Sequence, residues 1–171
     1  MQNLFSYPLK LEDMSASVQT YNLKASAEEL KYITEIMQVP AVKSFTAEVK
    51  VKLRKKEHLA NVWGKVEADV EQTSVVSLDN FIQNYKTDFS LDFDTKMTLS
   101  EQAKLEEEGE DVLDILDNGQ IDLAAVAMEQ LALILDDFPR KDGEVFTFKS
   151  EFDEETTMKN NPFAVLEKLK K

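Results

Sequence analysis

Apolar and polar residues alternate with a period of two along the middle of the chain. The alternation runs through residues 45–54 and again through 60–71, with the polar residues 55–58 between them. A period of two is typical of a strand with one face in the core and one in solvent. The pattern therefore predicts an antiparallel hairpin, and a third strand follows within residues 77–93.

One later segment is apolar nearly all round and has a marked start and stop. Between Asp122 and Asp136, only Glu129 and Gln130 are polar. Asp122 is a suitable N-cap, and Pro139 prevents the helix from continuing. Such a helix is usually buried on more than one side, so we expect strands to wrap it. At about fourteen residues it is also too short to span a bilayer, which needs about 20.

Two shorter helices are predicted nearer the ends of the chain. Ser26 and Glu29 have the spacing of a capping box, in front of apolar residues at helical spacing. This pattern predicts a helix over residues 27–38. A proline at the first helical position predicts a second short helix over residues 161–169.

These elements predict an α+β fold: an antiparallel sheet curled around one central buried helix, with a short N-terminal helix and a short C-terminal helix. Residues 4–11 and 18–23 predict two further short strands. The length favours a single domain over residues 1–171 that buries roughly 70% of its unfolded surface. We expect mobile segments in the acidic stretch 94–111 and in the polar stretch 149–160.

The composition excludes several kinds of chemistry. Cysteine is absent, which excludes disulfides, thiolate metal sites and cysteine nucleophiles, and His58 is the single histidine. His58 falls on the predicted hairpin turn, where a role in general base catalysis is disfavoured. The N-terminus has no pattern of a signal peptide. We therefore expect a cytoplasmic protein that is not an enzyme, with no cofactor, no metal site and no membrane partner.

Positive charge is concentrated in one part of an otherwise acidic chain. The net charge is −13, yet residues 41–65 hold seven basic residues against two acidic ones, a local charge of +5. Proteins that bind nucleic acid through their overall charge are usually basic, so the net charge argues against that mode of binding. The candidate binding residues are the lysines and arginine of the hairpin, which we call the basic strip, and a nearby tryptophan: Lys50, Lys52, Arg54, Lys55, Lys56, Lys65 and Trp63.

Two functional hypotheses and their simpler alternatives follow from this charge distribution. The basic strip could bind RNA phosphates while Trp63 stacks on an unpaired base; alternatively, its lysines only keep an exposed strand face soluble. The acidic residues within 101–117 could bind a basic protein; alternatively, they only solvate a loop.

Three blocks of the chain resemble the YceD family. The blocks are VEADVEQTSVVSLDNFIQNYKTDFSLDF at residues 66–93, NGQIDLAAVAMEQLALILDDFPRKDG at 118–143 and NPFAVLEKLK at 161–170. This is the large ribosomal RNA subunit accumulation family, here in its alphaproteobacterial form. The resemblance implies a cytoplasmic, non-enzymatic protein that is needed for normal levels of large-subunit ribosomal RNA.

Six positions match the family's pattern, and one of them departs from it in residue type. Ser74 stands where many relatives have cysteine, so a redox or metal role of that cysteine is not available here. Glu129 could contact a basic partner, or it could fix its helix against a strand through a salt bridge or a hydrogen bond. The family-matching positions are Gln72, Ser74, Asp122, Glu129, Pro139 and Arg140.

The function predicted from the sequence is therefore a non-enzymatic factor that supports large-subunit ribosomal RNA accumulation and ribosome biogenesis. It would act by binding ribosomal RNA or a basic ribosomal protein. The alternative is a protein–protein interaction adaptor without a ribosomal role.

Overall fold

The computed structural model describes residues 4–15, 17–97, 99–108, 113–116 and 119–146. Residues 1–141 belong to one compact unit and residues 142–171 to a second, of which only 142–146 are described. In chain order the elements are β1 (Pro8–Lys10), a 3₁₀ turn (Leu11–Asp13), β2 (Gln19–Lys24), α1 (Ala27–Met37), β3 (Ala41–Arg54), β4 (Leu59–Thr73), β5 (Asn80–Asp94), α2 (Leu99–Glu107), β6 (Asp114–Ile115), β7 (Gln120–Asp122) and α3 (Leu123–Ile134).

The first unit is built on a five-stranded sheet with the order β2-β3-β4-β5-β6. Neighbouring strands from β2 to β5 are antiparallel, whereas β6 pairs with β5 in parallel. The predicted hairpin is confirmed, because β3 and β4 pair from Ala41↔Glu71 to Arg54↔Leu59. The predicted third strand is confirmed as β5. β1 pairs with β7 in a separate two-stranded sheet.

The sheet has one covered face and one open face. Along β3 and β4, the side chains that point to the covered face include Val49, Val51, Val62 and Val66, all fully buried. Alternate residues along the same strands are half-buried or exposed and form the open face. Helix α3 contacts β3, β4 and β5. It must lie on the covered face, because only that face is buried.

The predicted start of each main helix is confirmed by its cap. In α1, the Ser26 hydroxyl accepts a hydrogen bond from the Glu29 N–H, and the Glu29 carboxylate accepts one from the Ser26 N–H. In α3, the Asp122 carboxylate accepts from the N–H groups of Ala124 and Ala125 at 3.0 and 3.2 Å. These bonds satisfy backbone donors that have no partner within a helix.

The prediction of an antiparallel sheet curled around one central buried helix is wrong. The described chain is mostly β, with a five-stranded and a two-stranded sheet and short helices. Helix α3 covers one face of the sheet: Leu131 is fully buried, but Leu133 is 77% exposed and Glu129 faces solvent. The apolar sequence of α3 suggested burial on several sides, whereas the core is supplied mainly by the three long strands.

Several other predictions concern segments at the limits of the described residues. The predicted C-terminal helix at 161–169 and the polar segment at 149–160 lie outside them. Within the acidic stretch 94–111, Leu99–Glu107 forms α2, and the mobility predicted for that stretch stays a prediction. Among the described helices, none combines the length and the apolar character needed to cross a membrane.

Candidate functional site

The structure brings the basic strip together on the open face of the hairpin. Lys50 and Lys52 lie on β3 and pair across the sheet with Trp63 and Asn61 on β4. Arg54 ends β3. The other members of the strip are Lys65 on the same face of β4 and Lys55 and Lys56 in the exposed turn.

Half of the basic strip is already paired with carboxylates. The Lys50 ammonium lies 2.8 Å from Glu48, and its hydrogen bond lowers the pKa of the Glu48 carboxyl. Lys65 lies 3.5 Å from Asp88. Glu48 is already counted in the local charge of +5, whereas Asp88 lies outside residues 41–65 and offsets part of that charge.

A third ion pair lies at the hairpin turn, whereas the remaining lysines of the basic strip are not paired with the described residues. Arg54 contacts the Glu57 carboxylate at 3.1 Å. Lys52, Lys55 and Lys56 make no ion pair with the residues that the structure describes. The cations still available to a partner are therefore grouped at the turn end of the hairpin.

An acidic row on β5 runs parallel to the basic row on β3, with β4 between them. Asp88 and Asp92 lie on the open face, across β4 from the lysines, and the Asn61 side-chain amide donates a hydrogen bond to Asp92. Trp63 lies between the two rows, with Lys50 on one side and Ser90 on the other. The sequence contained the signal for this arrangement in the period-two pattern of β5, but the register decides which charges meet.

The family-matching residues lie away from the open face. Gln72 points to the covered face and is only 4% exposed. Its side-chain carbonyl accepts a hydrogen bond from the Tyr85 hydroxyl at 2.5 Å, and its amide donates to the Asp136 carbonyl at 3.4 Å. Burial raises the pKa of the Tyr85 hydroxyl. Gln72 therefore joins β4 and β5 to the residues that follow α3.

Ser74 holds the loop between β4 and β5. The residue is fully buried, and its hydroxyl accepts hydrogen bonds from the N–H groups of Val76 at 3.1 Å and Ser77 at 3.3 Å. The Val75 N–H donates to the Pro139 carbonyl at 2.9 Å. In this chain Ser74 therefore has a structural role that needs a hydroxyl oxygen. Arg140, which follows Pro139, is exposed.

A groove of about 520 Å³ opens beside this loop. Its walls come from three separate segments: residues 36–40 at the end of α1, residues 72–75 at the end of β4, and residues 132–139 at the end of α3. We call it the α1–α3 groove. The sequence did not indicate it, because no local pattern shows that these three segments meet.

Glu129 has an electrostatically unfavourable place on α3. Partial desolvation of the carboxyl on the helix surface, followed by repulsion from Asp114, raises its pKa. Among the described residues, no hydrogen bond or ion pair reaches Glu129. The salt bridge considered for it is therefore not among the contacts that the structure describes. Asp122, in contrast, caps α3 and also accepts bonds from the Ser6 hydroxyl at 2.6 Å and the Tyr7 N–H at 2.8 Å.

The described ranges contain no group of three or more His, Cys, Asp or Glu side chains that could hold a metal ion. His58 adopts a positive φ of 55° in the hairpin turn. It lines an open cavity of about 690 Å³ together with Asp94 and residues of α2. The acidic stretch 101–117 is only partly described.

A comparison with protein families matches residues 62–170 to the model of the large ribosomal RNA subunit accumulation protein YceD. The match covers more than half of the chain. The chain belongs to the YceD family. The YceD match includes every family-matching position named above, from Gln72 to Arg140, and it begins after β3, so that Lys50 to Lys56 lie outside it. Neither a curated protein nor a solved structure matches the chain. The description of the YceD family connects its members with accumulation of large-subunit ribosomal RNA.

Proposed function

We propose that this chain is a non-enzymatic binding protein that supports accumulation of large-subunit ribosomal RNA, and that its partner is a basic ribosomal protein. Family membership supplies the cellular process, and charge supplies the class of partner. The observation that carries the proposal is the pairing of Lys50, Arg54 and Lys65 with neighbouring carboxylates. The proposed place of action is the cytoplasm.

Ion pairing on the open face favours a protein partner over RNA. To bind phosphates, Lys50 and Lys65 would have to give up Glu48 and Asp88, and those carboxylates would then repel the phosphates. Lysine and arginine bind RNA phosphates mainly by releasing mobile counterions. A lysine that is already paired with a carboxylate must first break that pair. A basic ribosomal protein instead meets an acidic chain with a net charge of −13, and complementary charge speeds that encounter.

Ribosomal RNA remains a second candidate because of the turn end of the hairpin. Lys52, Lys55 and Lys56 make no ion pair with the described residues, and Trp63 lies on the same face of the hairpin. An aromatic ring beside lysines can stack on an unpaired base. This candidate predicts that the turn, rather than the whole basic strip, contacts RNA.

The absence of enzymatic activity is part of the proposal and rests on the residue inventory. The chain lacks cysteine and has one histidine, which lies on an exposed turn. General acid–base catalysis needs a group with a tuned pKa within reach of a substrate. Glu129 has a raised pKa, but its neighbour Asp114 is another carboxylate, and the described residues that line the same cavity include no candidate nucleophile.

The test is the ratio of large-subunit to small-subunit ribosomal RNA in cells that lack the protein. We expect the ratio to fall, and to be restored both by the wild-type chain and by the triple variant Arg54→Glu, Lys55→Glu, Lys56→Glu. Rescue by the wild type alone, with the triple variant correctly folded, would favour ribosomal RNA as the partner. An unchanged ratio would contradict the ribosomal role and favour the adaptor alternative.

A direct binding measurement separates the two partners. The purified chain is titrated with large-subunit ribosomal proteins freed of RNA, and separately with large-subunit ribosomal RNA at two salt concentrations. We expect binding to protein. For RNA we expect weak binding, and the triple variant should reduce its salt dependence only if the turn contacts phosphates.

A further inference from the structure

We propose that the α1–α3 groove binds a short apolar segment carrying lysine or arginine, contributed by a basic protein. The proposal rests on the proposed function for the source of that segment, a protein of the large ribosomal subunit. The groove itself is argued from its apolar walls, its rigid frame and the sign of its charge.

The apolar walls of the groove are unusually exposed for a region next to the core. Ile36 and Val75 line it and are 46% and 45% exposed. Leu135 and Pro139 add apolar lining from the third segment. All three segments thus contribute apolar side chains to one concave surface. Clustered exposure of this kind marks interaction sites, whereas isolated exposed apolar residues do not.

The groove is held in shape before any partner arrives. The loop that carries Val75 is tied to the residues after α3 by the Val75 N–H···O=C Pro139 bond, and Lys141 contacts Asp79 at 2.8 Å. Leu78 adopts a positive φ of 63°, which leucine rarely does, and its N–H bonds to the Ser74 carbonyl. A preformed site binds without first ordering its own loops.

The negative charge at the groove indicates which polar side chains a bound segment should carry. Among the described residues that line it, the charged ones are Asp136 and Asp137, both exposed. The Asp136 carboxylate is held by the Phe138 N–H at 2.9 Å. Two carboxylates at the rim of an apolar groove repel a nucleic-acid backbone and favour lysine or arginine. The fitting occupant is therefore a peptide segment with an apolar side and a basic side.

The first experiment uses two synthetic amphipathic peptides with the same apolar face. One carries lysine on its polar face and the other glutamate. We expect the lysine peptide to shift the backbone amide resonances of Val75 and Ala132 in the full chain, and the glutamate peptide to leave them unchanged. Equal shifts from both peptides, or shifts confined to the basic strip, would overturn the proposal.

Matched variants test the groove directly. The double variant Ile36→Ser, Val75→Ser should weaken binding of the lysine peptide at least about tenfold, because apolar anchors dominate such interfaces. Its control is Val18→Ser, Ile82→Ser, which changes two exposed apolar residues elsewhere. Asp137→Lys should weaken binding about threefold, whereas Glu12→Lys, the same charge change at another exposed site, should not. Thermal unfolding checks that each variant is folded.

The same variants separate this inference from the proposed function. The wild-type chain and the double variant are each mixed with RNA-free large-subunit proteins. If the wild type binds none of them, the proposed function fails. If the wild type binds one and the double variant binds it equally well, the proposed function stands and the groove proposal is overturned. Loss of binding in the double variant, with binding kept in the control, supports both.

Discussion

On the open face of the sheet, lysines and carboxylates lie side by side in solvent, whereas on the covered side the polar groups of Gln72 and Ser74 are enclosed. The open-face pairs, such as Lys65 with Asp88, can rearrange and are screened by salt. The enclosed groups cannot turn to water, so each needs a fixed partner. Solvated charge contributes little to stability and can move to meet a partner. Enclosed polar groups specify the shape of the loop and groove.

The largest expected loss of stability comes from disturbing the pairing of β3 with β4, the strands that carry both faces. A Cβ added at Gly64 would lie 1.9 Å from the Glu48 carbonyl oxygen, within the backbone of β3. Gly64→Ala should therefore force β3 and β4 apart and lower the free energy of unfolding by about 3 kcal/mol. Urea unfolding measures this. The control Ser90→Ala, on the open face of β5, should change stability by less than about 0.5 kcal/mol. A Gly64→Ala variant as stable as the wild type would contradict the tight approach of these strands.

The next effect sharpens the contrast between enclosed and solvated polar groups. Ser74→Ala removes the acceptor of the Val76 and Ser77 N–H groups and should cost about 2 kcal/mol, since donors lose their partner next to the core. Ser74→Cys should cost less, because sulfur fills the space and is a weak acceptor. Lys65→Gln removes an exposed ion pair and should cost at most about 0.5 kcal/mol. Equal losses for Ser74→Ala and Lys65→Gln in urea unfolding would remove the distinction.

The smallest effect concerns Glu129, the carboxylate on the helix that covers the sheet. Its folded pKa is raised above the reference value of 4.5, so its full contribution to stability is present below 4.5 and is lost as the pH rises through the folded pKa. Glu129→Gln should therefore be slightly more stable than the wild type at neutral pH, by about 0.3 kcal/mol because the side chain is largely exposed. The two proteins should be equally stable well below pH 4.5. A variant less stable than the wild type at neutral pH would indicate a favourable contact for the carboxylate.

Local signals in the sequence predicted the elements well where one residue type enforces a conformation. The period-two pattern predicted β3, β4 and β5, and Ser26 and Asp122 predicted the starts of α1 and α3. The burial of α3 was predicted wrongly. An apolar helix sequence shows that a surface must be covered, but the width of the neighbouring sheet decides how many sides are covered.

The candidate surfaces were predictable to different degrees. The basic strip was visible because its cations are close in sequence, but the partners of Lys50 and Lys65 depend on strand register. The positions of Gln72 and Ser74 were indicated by the family resemblance, and their hydrogen bonds were not.

The sequence by itself determined which residues alternate, where helices begin, how charge is distributed and which family the chain resembles. These properties depend on neighbours within a few positions of one another. Only the tertiary structure decided that half of the basic strip is neutralised, that Ser74 closes a loop and that residues 36–40, 72–75 and 132–139 form one groove. Those outcomes depend on contacts between residues far apart in the chain, and the fold sets which of them meet.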